Sequence, residues 1–354
     1  MRRLSYITGL FLISVCLLTC HSENSSLLYY INSKGKSVKV KNQAAWEIKY
    51  QQILDSMQLV MGPLHENAGQ RTSEIQNLED TILNGIRRVK LLFAVENNDL
   101  VPAYLMIPES IATPVPGILC LHQTTDIGKG EPAGIGGNQN LHYALELAER
   151  GYVTIAPDYP NFGDYHFDPY SNGYISATMK GICNHMAAID LLQSLPQVDP
   201  ERIGCIGHSL GGHNSLFVAA FDKRIKAVVT SCGFTSFHKY YNGNLKGWSH
   251  RGYMPLIESV YKTDPSKMPF DFPEVLAVIA PRAIFINAPL NDSNFDVSGV
   301  RNCVDAVLPV YDLYGCSDKI ILKTPDAPHD FPAVIRKEAY MFLDRELKIS
   351  DNSK

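Results

Sequence analysis

Apolar positions along this chain follow two patterns. Short unbroken runs suit strands buried on both faces: Val115 to Leu121 (VPGILCL), Tyr152 to Ala156, Arg202 to Ile206, Lys226 to Ser231, Ala283 to Asn287 and Ile320 to Lys323. Between them lie stretches with helical spacing: Leu141 to Arg150, Gly173 to Leu195, Leu210 to Ala220 and Val334 to Leu347. Strands separated by helices predict βαβ units, hence an α/β domain with a mostly parallel twisted sheet and helices on both faces. Ahead of this alternation, Arg87 to Val95 and Val101 to Ile107 read as an antiparallel hairpin turning at Asn97-Asn98-Asp99. Further upstream, Trp46, Tyr50, Ile53, Leu54, Met57 and Val60 mark an amphipathic helix within 43–64. The alternation stops between Gly233 and Glu274, where aromatics, glycine and proline accumulate. That segment reads as an aromatic-rich cap inserted over one edge of the sheet, in a domain spanning 86–350, with 21–85 as an N-terminal linker and helical extension.

The first twenty residues are different in kind. Arg2 and Arg3 precede a mostly apolar stretch from Leu4 to Leu18, too short and too mixed for a membrane span and suited to a secretory signal. Leu17-Leu18-Thr19-Cys20 resembles a lipobox, which would make Cys20 a lipid-anchored first residue at a membrane surface, in the periplasm or at the outer membrane. Ordinary signal cleavage and secretion, with Cys20 incidental, is the alternative. The remaining cysteines, at 120, 183, 205, 232, 303 and 316, show no CxxC pair and no zinc spacing. A net charge of -4 over 354 residues and the lack of any basic run exclude a nucleic-acid footprint. Nothing in the sequence specifies an oligomeric state, a cofactor or a metal.

The chemistry centres on Gly207-His208-Ser209-Leu210-Gly211, placed between a strand and a helix. A GxSxG in that context is a nucleophile elbow: the sharp turn lifts the serine clear of the sheet, and glycines let neighbouring elements pass closely. Serine needs a base, and His329 in PDAPHDFP follows the last strand and precedes the last helix. The acid that orients it is expected after the strand ending at Asn287, where NDSNFD offers Asp292 and, as alternate, Asp296, which is also placed to cap a helix. An oxyanion hole would take the backbone N–H of Leu210 and that of Gln123, with Thr124 as alternate. His122, Tyr159 and Trp248 are candidate substrate contacts. His208 and His213 flank the serine without zinc spacing, His185 reads as structural, and Gly128 to Asn138 (GKGEPAGIGGN) reads as a flexible active-site loop.

Taken together, LHQTT, APDYPNFGDY, GHSLGGH, PLNDSNFD and HDFP resemble an α/β-hydrolase of the dienelactone hydrolase-like and acetyl xylan esterase-like group, over roughly 57–347. The resemblance implies a metal-independent serine hydrolase working through an acyl-enzyme, with Ser209 where dienelactone hydrolases carry cysteine. That favours ester hydrolysis, with acetyl or similar acyl groups on a small-molecule or glycan ester as the expected substrate. Two alternatives remain: a serine peptidase of the prolyl-oligopeptidase kind, and an inactive binding protein on the same scaffold.

Overall fold

In the computed structural model, residues 27–65, 68, 75–96 and 99–348 are described. The expected signal segment and the turn residues Asn97 and Asn98 lie outside them. A two-stranded ribbon of β1 (Tyr29–Ile31) and β2 (Ser37–Lys39) leads into α1 (Gln43–Met61). The Asn42 side chain caps α1 by accepting the Ala45 N–H, and Trp46, Tyr50, Ile53, Met57 and Val60 are buried along one stripe.

Residues 75–83 depart from expectation. Within the stretch expected to be linker and helical extension they form β3 (Ile75–Leu83), antiparallel to β4 (Ile86–Glu96) and joined to it by Asn84-Gly85. Both turn residues have positive φ, 53° and 77°, as a two-residue hairpin turn requires. β3 is exposed along its whole length, so no apolar pattern announced it. The turn did: Asn-Gly is the strongest short-range hairpin signal in a sequence.

After β5 (Asp99–Pro108) the βα alternation begins with β6 (Val115–Leu121), α2 (Tyr143–Glu149), β7 (Val153–Pro157), α3 (Ala177–Ser194) and β8 (Val198–His208). It continues with α4 (Leu210–Phe221) and β9 (Ile225–Ser231). The 233–274 insertion then carries only short helical turns, among them α5 (Leu256–Ser259), and runs into α6 (Phe272–Ala277). β10 (Ala283–Asn287), α7 (Val297–Asp312), β11 (Ile320–Lys323) and α8 (Ala333–Leu347) complete the chain.

The main sheet has nine strands in the order β11-β10-β9-β8-β6-β7-β5-β4-β3. From β11 to β7 all neighbours are parallel, while β5, β4 and β3 pair antiparallel. Side chains alternate between two covered faces: Leu119, Cys205 and Ile284 face the core shared with α1, α3, α4 and α7, whereas Ile118, Ile206 and Phe285 face the core under α2 and α8. This is the reason the central strands read as unbroken apolar runs. None of the six cysteines of the described residues is paired, and five are buried. No helix among the described residues is long and apolar enough to cross a membrane.

The strand order reverses at β6, whose next strand in the chain, β7, lies on one side and β8 on the other. The carboxyl ends of β6 and β8 are therefore neighbours, with Leu121 paired to Gly207. A crevice at such a switch point is where open α/β sheets bind ligands.

Candidate active site

Ser209 follows the last residue of β8 and precedes the first of α4, at φ 53° and ψ −114°. A non-glycine residue reaches this region only when its surroundings force it there. Four contacts do so here. The Ser209 N–H donates to the Ser231 carbonyl at 2.8 Å, and its own carbonyl accepts the His213 N–H. A Cβ on Gly211 would stand 1.9 Å from the Leu121 carbonyl oxygen, and one on Gly207 would meet the Gly211 carbonyl at 2.2 Å. The two glycines let α4 rest directly on the end of β6, and the turn between them has no other course. Leu210 opens α4, so its N–H belongs to the first turn and lacks an intrahelical acceptor.

His329 lies in the loop between β11 and α8. Its Nδ1 donates to Asp292, 2.9 Å from each carboxylate oxygen. The Asp292 side chain is only 1% exposed. Burial works to raise the Asp292 pKa, but the His329 hydrogen bond and the N–H groups of Asn294 and Phe295 outweigh it, holding the carboxyl below its ordinary value. The His329 ring stands edge-on to His208 at 4.9 Å and near Phe295 at 6.0 Å. Asp296, the alternate acid, is elsewhere: its side chain caps α7 by accepting the Ser298 N–H at 2.7 Å.

This geometry decides the architecture: a serine on a strained strand-to-helix turn at the switch point, then an acid after β10 and a histidine after β11. The chain has the α/β-hydrolase fold. In line with that fold, residues 139–298 of the chain match the prolyl oligopeptidase family (Peptidase_S9), a span under half of its length that holds Ser209 and Asp292 and stops short of His329. Over 287 residues it is 28% identical to YtaP of Bacillus subtilis (strain 168), a protein with a hydrolase name, covering 78% of this chain and 92% of YtaP. Among solved structures it resembles a CE15 glucuronoyl esterase from Teredinibacter turnerae T7901, with a TM-score of 0.71 at 16% identity over 90% of this chain and 88% of that one. It also resembles an acetyl xylan esterase from Paenibacillus sp. R4, with a TM-score of 0.56 at 18% identity over 87% and 96%. At such identities the structures speak for the fold.

Ser209 and His329 open onto one cavity of about 350 Å³, which Gln123 and Thr124 also line. Of the three expected substrate contacts, none lines it. His122 is buried; its Nδ1 donates to the Gln123 carbonyl at 2.6 Å and its Nε2 accepts the Tyr159 N–H at 3.0 Å. That is a neutral imidazole tying the loop after β6 to the loop after β7, and burial lowers its pKa accordingly. Tyr159 is buried too, its hydroxyl donating to the Gly252 carbonyl at 3.1 Å. Trp248 packs behind the wall, edge-on to His213 at 4.7 Å. All three shape the cavity from outside. Its aromatic surface comes instead from Tyr240 and Tyr253 of the insertion and from Phe295. The other insertion aromatics largely serve the core, as Phe234, Phe237, Phe270 and Phe272 do.

Two further cavity residues escaped the sequence reading, Asn294 and His213. Asn294 sits inside the quoted NDSNFD, and a strand-end loop aimed at the base was the available signal. His213 is one helical turn beyond Ser209, which places it on the same face of α4. It is buried, and neither ring nitrogen makes a well-formed hydrogen bond to the protein. The GKGEPAGIGGN segment, expected to be flexible, is anchored. Lys129 is buried against Asp158 at 2.7 Å, and Glu131 accepts both the Asn138 N–H and the Gln123 side-chain amide.

Cys232, Asp292 and His329 bring ligand atoms within 4.8 Å of one another, the only such trio among the described residues. The fit to a metal is poor: Asp292 and His329 already satisfy each other, and burial pushes the Cys232 thiol up, away from the thiolate a metal requires.

Buried neutral histidines have a consequence for stability. Burial holds His185, His208 and His213 down to about 3, whereas each takes a proton near 6.5 once unfolded. Over that window the unfolded chain binds more protons than the native one, so stability is full above about pH 6.5 and falls as pH drops. The slope is up to about 1.4 kcal/mol per pH unit for each histidine. Urea midpoints at pH 7.0 and 5.5 should differ clearly, with the lower midpoint at 5.5; Asp271, which burial holds up to about 7, acts in the opposite direction but offsets no more than one of the three histidines. Equal midpoints would contradict the burial of these rings as neutral groups.

Proposed function

We propose that this protein is an exported serine carboxylic-ester hydrolase that removes acetyl or similar short acyl groups from carbohydrate substrates through an acyl-enzyme. The observation that carries the reading is the strained Ser209 turn sharing one cavity with a histidine whose Nδ1 is held by a buried carboxylate. With Nδ1 donating to Asp292, the His329 Nε2 is the acceptor. It takes the Ser209 proton as Oγ attacks the ester carbonyl. The oxyanion is received by the N–H groups of Leu210 and Gln123, and the alcohol leaves with the proton returned by His329. Water, deprotonated by the same nitrogen, then releases the acid and restores Ser209.

The cavity lining supports a neutral, hydroxyl-rich substrate. It combines tyrosine and phenylalanine rings with Asn294, Thr124 and His213, and among the described residues that line it none is a carboxylate. The prolyl oligopeptidase match favours a second reading, a serine peptidase. A peptide held by its ammonium terminus, however, calls for an acidic partner; among the described residues this cavity's lining offers none, and Asp168 of an adjoining cavity is already paired with Arg251. Arg2, Arg3 and the apolar run to Leu18 support export, with Cys20 the lipidated residue if processing stops there.

The test is a pair of assays on protein recovered from the cell envelope, whose intact mass also reports whether the mature chain begins with a lipidated Cys20. Turnover of p-nitrophenyl acetate without release of p-nitroaniline from Gly-Pro-p-nitroanilide is the expected result. The converse pattern would replace the esterase with the peptidase.

A further inference from the structure

A second cavity of about 300 Å³ adjoins the one that holds Ser209, and Thr124 and Tyr253 line both. Its outer wall is built from two segments distant in sequence. The loop after β7 contributes Phe162, Asp168 and Tyr170, and the insertion contributes His250 and Arg251. These side chains are already organised. The Arg251 guanidinium lies over the Tyr170 ring, 4.1 Å from its centroid. The Tyr170 hydroxyl donates to the Arg251 carbonyl, and Arg251 reaches Asp168 at 3.4 Å. The shared Tyr253 is fixed edge-on to His250 at 4.3 Å.

We infer that this second cavity is a subsite for a neighbouring sugar residue, so that the substrate is an acylated oligosaccharide lying across both cavities. The inference rests on the esterase reading above and extends it to chain length. Aromatic rings accept the apolar C–H face of a pyranose, and a planar guanidinium and a carboxylate offer paired donors and acceptors that match vicinal hydroxyls. Arg251 and Asp168 offset each other's charge, which suits a neutral ligand better than an anionic or cationic one. The shared wall makes the two cavities neighbours, and their volumes fall within or near the range of small-ligand sites.

The test compares kcat/KM for O-acetylated methyl glycosides with that for the O-acetylated trisaccharides of the same sugars, in xylose, mannose and glucose series. In at least one series the trisaccharide should exceed its monosaccharide by about tenfold, the effect of one well-packed ring contact. Tyr170→Ala and Arg251→Ala should each remove most of that gain and leave p-nitrophenyl acetate turnover unchanged. Tyr170→Phe, which keeps the ring and loses only the hydroxyl bond to the Arg251 carbonyl, should retain it. Equal rates at both chain lengths in all three series would overturn the subsite, as would a gain that survives both alanine variants. Loss of p-nitrophenyl acetate turnover in the unmodified protein is a different failure: it removes the esterase reading, and the subsite with it.

Discussion

Ser209→Ala is expected to lower the turnover of p-nitrophenyl acetate by on the order of a thousandfold or more, with the folded structure unchanged. The loss follows from the proposed mechanism, in which no other hydroxyl is presented on the elbow. The intact fold follows from the local contacts. The turn is held by backbone bonds, from Ser209 N–H to the Ser231 carbonyl and from His213 N–H to the Ser209 carbonyl, and the serine side chain caps nothing. Alanine at φ 53° is about as strained as serine, since both carry a single Cβ. Far-ultraviolet circular dichroism and the melting temperature should therefore match those of the unmodified protein. A variant that keeps the original rate would send the search to another nucleophile; one that unfolds would show that the hydroxyl has a structural partner.

The second large effect separates two aspartates four residues apart. Asp292→Asn is expected to reduce kcat by roughly a thousandfold to ten-thousandfold, and Asp296→Asn by only a few-fold at most. An asparagine at 292 replaces a buried acceptor with a group that presents either an amide N–H or a neutral oxygen to His329 Nδ1. In the first case the imidazole is turned to the wrong tautomer, and in the second the developing imidazolium loses its counter-charge. At 296 the side chain caps α7 by accepting from Ser298, a role in which asparagine and aspartate are equivalent. Steady-state kinetics on the two variants, side by side, checks this. A greater loss at 296 would reverse the assignment of the orienting acid.

What the sequence made legible, and what it hid, divides along physical lines. β6, β7, β9 and β10 were readable because both faces of a central parallel sheet are covered, which leaves an unbroken apolar signature. Ser209 was readable because glycines at 207 and 211 are the residue-level trace of a close approach between α4 and β6. β3 has no such trace; it is held to β4 by backbone pairing and by surface ion pairs from Asp80 to Arg87 and Glu79 to Lys90, and it is exposed on every residue. His122, Tyr159 and Trp248 were located near the site from their place in the chain. Whether a side chain at a strand end points into a cavity or into the wall beside it depends on neighbours far away in sequence, such as the Tyr159 N–H that captures the His122 ring. Asp292 and Asp296 could not be ranked with certainty for a similar reason: both lie in one loop, and only the path of that loop around the buried His329 partner distinguishes them.

The contact between Gly211 and the Leu121 carbonyl bears on where this cavity could be reshaped by design. With backbone pressed on backbone there, the spacing between the serine turn and the Gln123 loop is set by main chain alone, and a side chain added at 211 would force the two apart. Tyr240, Tyr253 and Arg251 sit instead on a segment that contributes no strand to the nine-strand sheet, where a side chain can change without touching that contact. The cavity thus has a floor drawn in main chain and a roof drawn in side chains, and an engineer has freedom only in the roof.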